Sequence, residues 1–412
     1  MTLQADFRNR TAIAGIGYSR SEQDPGAFSK NSGVDVLTLA KRAAREAAAD
    51  AGIDVKDIDG AVMYEIGNDS VPIRTLISAL GCRQNSYVSS LVGGGPLASL
   101  AVVQAAQAVY HGICRYVLVY RAMNGRSGVR MGQWGAGWGG DRATAVPRVG
   151  GEGQFSRIYG LAGAPSESGF EARRYMDLYG VSSEDFARWA VNARMNAVNN
   201  PRAIMRKPIT IEDHQQSPLI VEPYHLLDCC LETDVACAVI VTTTERARDL
   251  AQPVVSISSG SGGHRSFKEL VDTGLIELGP RLLEDAGVWL SDIDLFEAYD
   301  NFTDMPFRLL EDMGWCGRGE AKQFVAEGRM SLDGDLPVNT HGGLINEGYC
   351  HGFNNVLEAV QQLRGQAEDL CPDWISGNHT YDRSICRQVR GAKVALNASV
   401  GGFSGLILQG DL

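Results

Sequence analysis

Residues 50–59 read DAGIDVKDID, and residues 285–294 read DAGVWLSDID. Six of the ten positions are identical, although the two stretches lie 235 residues apart. Before the first copy, apolar residues recur at three- and four-residue spacing over 37–51, which predicts one face of a helix. Gly52 and Gly287 are typical of residues that end a helix, and an apolar strand follows each copy. The sequence therefore predicts an internal duplication; the alternative is a chance match between two unrelated α/β domains.

Each half repeats a second unit, in which a glycine-rich turn precedes an apolar helix and a later strand. The turns lie at 93–95 and 342–343, the helices at 97–109 and 356–363, and the strands at 116–120 and 394–396. Alternation of strands and helices is typical of parallel or mixed sheets that helices cover. We therefore predict an α/β fold built from two similar halves.

The two halves are predicted to span residues 1–250 and 251–412. Residues 122–222 have no counterpart in the second half, so we interpret them as an insertion within the first. This insertion contains two predicted helices, 167–178 and 184–199. An insertion of this length is expected to form a substrate or interface region rather than a loose loop.

Composition excludes several classes of protein. The net charge is −11, from 38 basic and 49 acidic residues, which argues against nucleic acid as a partner. The longest apolar runs, such as 235–241, are far shorter than the roughly 20 residues that span a bilayer, so no membrane partner is expected. Nine scattered cysteines without a Cys-x-x-Cys pair indicate reduced thiols in a soluble, cytoplasmic protein. No cluster has metal-ligand spacing, and no dinucleotide fingerprint is present, so neither metal nor cofactor is predicted.

Three segments carry a resemblance to a known family. They are residues 217–234, with Leu-Leu-Asp-Cys-Cys at 226–230; Tyr-Asp-Asn-Phe at 299–302; and 339–352, with Asn-Thr-His-Gly-Gly at its start and Gly-Tyr-Cys-His-Gly at its end. The chain resembles the thiolase superfamily, and more narrowly its sterol-carrier-protein-type or lipid-transfer branch. The resemblance covers nearly the whole chain. It implies two duplicated βαβαβαββ halves in a layered α-β-α-β-α arrangement, with the long insertion after the first half.

The resemblance breaks at the catalytic cysteines. Members of the family carry a nucleophilic cysteine at a helix N-terminus, where the helix dipole favours the thiolate. The matching stretch here is Gly-Gly-Gly-Pro at 93–96, which has no cysteine. Ser399 stands where the family has a second cysteine, and a hydroxyl needs an activating base to move a proton near neutral pH. Cys82 and Cys114 lie too far along the chain to replace either and are predicted to be buried thiols.

Two tyrosines occupy the family's remaining polar site positions. Tyr349 matches the catalytic histidine, and Tyr299 matches the histidine or asparagine of the oxyanion hole. A phenol can donate a hydrogen bond to an enolate or take part in proton transfer. The alternative is an inactive site in which the tyrosines only fill space. The predicted catalytic residues are Tyr299, Tyr349, His341 and His351, and the predicted substrate- or oxyanion-binding residues are Gly93, Gly94, Asn301 and Gly402.

These departures imply a reaction without an acyl-enzyme. A subset of the lipid-transfer branch resembles this chain in its tyrosine motifs and consists of steroid side-chain aldolases. That resemblance implies retro-aldol cleavage of a 17-hydroxy-3-oxo-pregnene-20-carboxyl-CoA-like thioester to a 17-ketosteroid and propionyl-CoA, in steroid or cholesterol catabolism. It also implies a DUF35-type partner with an oligonucleotide-binding fold, and we expect a homodimer. The CoA thioester is substrate rather than cofactor. A non-catalytic acyl-CoA-binding scaffold for that partner remains an alternative, and thiolysis is disfavoured.

Overall fold

A mixed sheet of nine strands runs through the computed structural model of the chain. The structure describes residues 5–21, 26–128, 155, 159, 161, 163–263, 268–367 and 386–410. The strands are β1 (Thr11–Tyr18), β2 (Gly60–Glu65), β3 (Tyr87–Val92), β4 (Val117–Asn124), β5 (Leu219–Val221), β6 (Tyr224–His225), β7 (Asp234–Thr243), β8 (Val255–Gly262), β9 (Leu295–Ala298), β10 (Val394–Ala398) and β11 (Ser404–Gly410). Strands β5 and β6 form a separate two-stranded sheet.

The strand order confirms the duplication. Across the large sheet the order is β3-β2-β4-β7-β1-β8-β11-β10-β9. Read outward from the antiparallel β1–β8 junction, each half places its first strand, then its last, then the next to last, then its second. The outermost position in the second half holds only an isolated bridge between Phe296 and Val338. The two half-sheets therefore have the same strand order on either side of the β1–β8 pair.

Helices cover the sheet in layers, as predicted. They are α1 (Val36–Ala51), α2 (Ile73–Leu80), α3 (Ala98–Tyr110), α4 (Ala164–Tyr179), α5 (Ser183–Val198), α6 (Ile211–Gln216), α7 (Thr244–Ala247), α8 (Leu275–Ala286), α9 (Met305–Met313), α10 (Ala321–Ala326) and α11 (Phe353–Leu363). Helices α3 and α11 contact each other and strands of both half-sheets, so they form the central layer. Helix α1 covers the first half-sheet from outside, and α8 covers the second.

The repeated DAG…DID stretch has the same structure in both halves. Helix α1 ends at Gly52 with φ 75°, and α8 ends at Gly287 with φ 68°, the left-handed conformation that glycine adopts most readily. The last aspartate of each copy also accepts hydrogen bonds from the backbone at the start of a strand. Asp59 accepts backbone N–H groups of Arg115 and Tyr116 just before β4, and Asp294 accepts those of residues 393–394 at the start of β10. These equivalent hydrogen bonds explain why aspartate recurs at this position.

The two helices predicted in the insertion exist, as α4 and α5. Ser182 and Asp185 form a capping box at the start of α5. Both helices pack in the hydrophobic cluster of the second half, where Trp189 and Phe186 lie buried with Phe307. The insertion therefore follows the first half along the chain but packs against the second half. Residues 129–154 of the insertion lie outside the described residues.

The apolar helix at 97–109 is covered within one chain, so it gives no support to the expected homodimer. In the structure α3 lies in the central layer, and most of its side chains are buried within one chain by the sheet and α11. Strand β3 is instead the uncovered element, because it is an edge of the sheet and exposes Val88 and Val92.

The cysteines of the described residues are mostly free thiols. Seven are free, among them Cys114, which is buried, and Cys82, which is partly buried. Cys386 forms a disulfide, contrary to the expectation of reduced thiols throughout. Among the described helices, none is both long and apolar enough to cross a bilayer.

Candidate active site

Two buried tyrosines meet at the centre of the candidate site. Tyr299 directly follows β9, and Tyr349 lies in the turn that precedes α11. Their hydroxyl oxygens are 2.6 Å apart, and the rings meet edge to face. Both side chains are buried, at 3% and 6% exposure. Burial raises the pKa of both phenols above its ordinary value, so both are protonated at neutral pH. We call Tyr299 and Tyr349 the tyrosine pair.

Gly95 has no room for a side chain. A Cβ atom built there would lie 2.2 Å from the Tyr299 hydroxyl oxygen and 2.5 Å from its ring carbon Cζ. Gly95 opens the short helical turn that leads into α3 and lies within 93–96, the stretch that matches the nucleophile segment of the resembling thiolases. The Tyr299 hydroxyl therefore occupies the volume in which a cysteine side chain would begin. Cysteine at 95 and tyrosine at 299 exclude each other in this backbone.

The predicted oxyanion donors are already engaged. The backbone N–H groups of Gly93 and Gly94 both donate to the carbonyl of Glu65, at 2.9 and 3.2 Å. The N–H of Gly402 donates to the carbonyl of Ser399 at 3.0 Å. These three amides are therefore not available to an oxyanion in this structure, because their hydrogen bonds shape the turns themselves.

Asn301 differs from those glycines. Its side-chain Oδ1 is buried and has no hydrogen-bond partner among the described residues, whereas its backbone carbonyl accepts the N–H of Cys230 at 2.9 Å. The adjacent Asp300 accepts the N–H of Leu344 at 2.8 Å, and burial raises its pKa to about 8. Asp300 thus ties the strand end that carries Tyr299 to the glycine turn at 342–343.

The second cysteine position of the family is inert here. Ser399 Oγ accepts the N–H of Ser99 at 3.3 Å and lies 2.9 Å from Oγ of Ser404. Ser99 Oγ in turn donates to Asn397 at 2.7 Å. No histidine, lysine or carboxylate hydrogen-bonds to Ser399 within the described part of the chain, so nothing activates its hydroxyl.

His351 lies beside the tyrosine pair, as predicted. Its ring packs edge-on against Tyr349, with centroids 4.9 Å apart. Its Nδ1 accepts a hydrogen bond of 2.9 Å from Nε of Arg121. Burial lowers the pKa of His351 well below its usual value, and the guanidinium of Arg121 lowers it further. Sequence reasoning missed Arg121, although a lone arginine inside the apolar run 117–124 was a signal.

His341 lies elsewhere, in a buried ion cluster. Its Nδ1 is 3.0 Å from Oε2 of Glu297, and its Nε2 is 3.7 Å from Oε2 of Glu347. Neither nitrogen makes a well-aligned hydrogen bond, so these contacts are ion pairs. No hydrogen bond joins His341 to the tyrosine pair among the described residues. The buried ion cluster consists of His341, Glu297, Glu347, Glu358, Arg202 and Arg387.

The charges of the buried ion cluster explain why the His341 imidazole is protonated. Three carboxylates and two guanidinium groups leave the cluster one positive charge short. Burial alone would lower the pKa of His341, but the carboxylates of Glu347 and Glu297 outweigh it and raise the pKa to about 9. A protonated imidazole is a poor general base at neutral pH. Because Glu347 lies two residues before Tyr349, the structure assigns His341 to the support of that turn.

Gly95→Ala is expected to damage the site through Tyr299. The added methyl group displaces the ring, so kcat falls about tenfold or more and the melting temperature drops. Replacing Tyr299 by alanine in the same chain removes the clash, so the double variant should be destabilised by less than the sum of the two single changes, as thermal melts would show. Gly263→Ala is the matched control, since a Cβ there meets nothing within 4 Å. Strict additivity would contradict the clash.

His341 predicts a pH dependence of stability. Its folded pKa of about 9 lies above the ordinary value of 6.5, so its contribution is complete below pH 6.5 and is lost as pH rises toward 9. The free energy of unfolding should therefore fall on the order of 3 kcal/mol across that window. In His341→Gln this fall should be smaller by that amount, with only the share of Asp300, whose folded pKa is about 8, remaining, although the variant is less stable overall. Denaturant titrations at several pH values test this; equal slopes in both proteins would refute it.

Comparison with known proteins places the chain in a family. Residues 246–373 match the thiolase C-terminal domain-like family. The chain is 40% identical over 370 residues to the 17-hydroxy-3-oxo-4-pregnene-20-carboxyl-CoA lyase of Mycobacterium tuberculosis, a match that covers 86% of this chain and 92% of the relative. It is 42% identical over 369 residues to a steroid side-chain-cleaving aldolase of Thermomonospora curvata, with coverage of 86% and 90%.

A solved structure gives the same result in three dimensions. The structure of an Ltp2-ChsH2(DUF35) aldolase matches with a TM-score of 0.84 and 37% identity, over 98% of this chain and 99% of that chain. Sequence and structure agree over nearly the full length of both proteins. The chain therefore belongs to the thiolase superfamily, in the lipid-transfer branch that contains the steroid side-chain-cleaving aldolases.

Proposed function

We propose that this protein is a carbon–carbon lyase that cleaves a steroid acyl-CoA by a retro-aldol reaction. The substrate is a β-hydroxyacyl thioester of the 17-hydroxy-3-oxo-4-pregnene-20-carboxyl-CoA type, and the products are a 17-ketosteroid and propionyl-CoA. The observation that carries the mechanism is the 2.6 Å contact between the hydroxyl groups of the tyrosine pair, in a site whose stretch at 93–96 has no cysteine. The activities named for relatives that are 40% and 42% identical support the substrate class.

The reaction moves one proton from oxygen to carbon. The β-hydroxyl group gives its proton to one tyrosine oxygen as the Cα–Cβ bond breaks. The electrons of that bond pass into the thioester, which becomes an enolate, and the ketone departs. The other tyrosine protonates Cα of the enolate, which yields propionyl-CoA. Because no protein atom bonds to the substrate, no cysteine is required.

The tyrosine pair performs this transfer as a relay of neutral phenols. Burial raises the pKa of both groups, so a resting phenolate is disfavoured. The tyrosine that receives the substrate proton passes its own proton across the 2.6 Å contact, and the second tyrosine delivers a proton to Cα. Each hydroxyl ends the cycle with one proton. No buried charge has to persist on either ring.

Two other functions predict different behaviour. A thiolase would need a nucleophile in the stretch 93–96, which has no cysteine, and a side chain at position 95 would collide with Tyr299. A non-catalytic scaffold would bind acyl-CoA and a partner but release no product. The paired hydroxyl groups favour catalysis, because two phenols that only filled space would not need to meet at hydrogen-bond distance.

We further propose a DUF35-type partner, a homodimer and a cytoplasmic location. The matching Ltp2-ChsH2(DUF35) aldolase supports the partner. The edge strand β3 supports the homodimer, because its unpaired backbone groups can join a strand of a second copy. A CoA thioester substrate and seven free thiols among the described residues support the cytoplasm.

Removing either hydroxyl of the tyrosine pair should slow the reaction. We expect Tyr299→Phe and Tyr349→Phe each to lower kcat by about 10²–10⁴-fold with a smaller change in KM, because a proton carrier is lost while the ring remains. Steady-state kinetics of the complex with its partner would measure this. Cys82→Ala and Cys114→Ala are the controls and should turn over at near-normal rates. Full activity in both phenylalanine variants would refute the mechanism.

The homodimer is testable at β3. Light scattering at micromolar concentration should give the mass of two chains. Charged residues on the exposed face, as in Val88→Glu with Val92→Glu, should give a folded monomer, because charge on an edge strand opposes pairing. Trp289→Glu is the control, since Trp289 is also exposed, at 79%, but lies outside the sheet. A monomeric wild-type protein would contradict the prediction.

A further inference from the structure

We propose that Arg121 is a positioning residue of this site, which holds His351 as a neutral imidazole with its proton on Nε2, beside Tyr349. The inference rests on the proposed retro-aldolase function only for its kinetic consequence. The position of the proton on His351 is argued from the contact between Arg121 and His351 and does not depend on that function.

Arg121 is a buried cation with every side of its guanidinium group in use. It lies in β4, and its side chain has no exposed surface. Its Nε donates to His351 Nδ1 at 2.9 Å, and Nη2 lies 2.6 Å from the same nitrogen. Its Nη1 donates to the carbonyl of Ala122 at 2.8 Å, and Nη2 also contacts the carboxylate of Asp69. The guanidinium lies over the Tyr64 ring, 5.7 Å from its centroid.

This arrangement selects one tautomer of His351. A guanidinium group has donors only, so the nitrogen that faces it must be an acceptor. Nδ1 of His351 therefore carries no proton, and the proton of the neutral ring lies on Nε2. A second proton would place an imidazolium against the guanidinium of Arg121. The ring cannot take up a proton at either nitrogen without losing this contact.

The surrounding groups reinforce that state. The backbone of His351 is held in a left-handed conformation, φ 50°, and Tyr64 donates its hydroxyl to the His351 carbonyl at 2.9 Å. Asp69 is the counter-ion of Arg121, and no hydrogen bond joins it to the imidazole among the described residues. The titratable or charged groups that face His351 or its guanidinium partner are Arg121, Asp69, Glu65, Tyr64, Tyr120, Cys350, Tyr349 and Tyr299.

The consequence for catalysis is that His351 stays out of the proton relay. A proton released by the substrate can pass only along the tyrosine pair, because the neighbouring imidazole cannot accept it. The remaining Nε2–H group is a donor, and it has no hydrogen-bond partner among the described residues. His351 thus offers a hydrogen bond without competing as a base.

Nitrogen NMR of the histidine side chains tests this without substrate. The chain has seven histidines, and the signal of His351 is the one that disappears in His351→Asn, a residue that tolerates positive φ. We expect wild-type His351 to show an unprotonated Nδ1, a protonated Nε2 and no titration between pH 5.5 and 9. In Arg121→Met we expect a mixture of tautomers or a titrating ring. Tyr64→Phe is the control, since it removes only hydrogen bonds to the backbone carbonyls of Cys350 and His351 and should keep the tautomer.

Steady-state kinetics of Arg121→Met test whether Arg121 matters for turnover. In Arg121→Met we expect kcat to fall about ten- to a hundredfold, as for other groups that orient a catalytic site, with KM changed by less than about threefold. Wild-type His351 with its proton on Nδ1, or titrating in that range, would overturn the proposal even if Arg121→Met did not fold. A folded Arg121→Met with full kcat or an unchanged tautomer would also overturn it. If the wild-type complex turned over no substrate, the proposed function would fail while the NMR result still decided the role of Arg121.

Discussion

The contact between the hydroxyl groups of Tyr299 and Tyr349 constrains most of what surrounds it. Glycine is required on both sides of the Tyr299 ring, because a Cβ at Gly95 or Gly352 would lie within 2.5 Å of its atoms. Tyr299 therefore excludes a side chain at position 95, within the stretch 93–96 that matches the nucleophile segment of thiolases.

The tyrosine pair also depends on the duplication. Tyr349 belongs to the second half, but its backbone is held by Thr233 of the segment that enters β7, which donates to its carbonyl at 2.8 Å and accepts its N–H at 3.0 Å. Tyr64 and Arg121, on strands of the first half, hold His351, which lies two residues after Tyr349. From the other side, Glu347 anchors the turn in the buried ion cluster. The site is therefore built where the two halves meet, and neither half alone contains it.

The sequence predicted the elements that depend on local pattern. The helices that end at Gly52 and Gly287 and the strands that follow them were predicted from the repeat, and the placement of Tyr299 and Tyr349 in one site was implied by the family resemblance. It did not predict that the backbone amides of Gly93, Gly94 and Gly402 are hydrogen-bonded within the chain. Whether a backbone N–H group is free depends on which carbonyl the fold places against it. Motifs mark a glycine turn but not its hydrogen bonds.

The sequence did not predict the ion pairs between residues that lie far apart in the chain. His341 looked like a catalytic candidate because it stands in a motif, yet its partners Glu297, Arg202 and Arg387 are spread over nearly two hundred residues of sequence. Only the fold brings these charges together.

In the proposed reaction a carbon–carbon bond breaks by proton relay with no covalent intermediate. The reaction of the wild-type protein and its partner in heavy water, with mass spectrometry of both product and quenched protein, tests this most directly. We expect propionyl-CoA with one deuterium at Cα, from protonation of the enolate by an exchangeable hydroxyl, and an unmodified protein chain. An acyl group on any cysteine, or propionyl-CoA without deuterium, would contradict it.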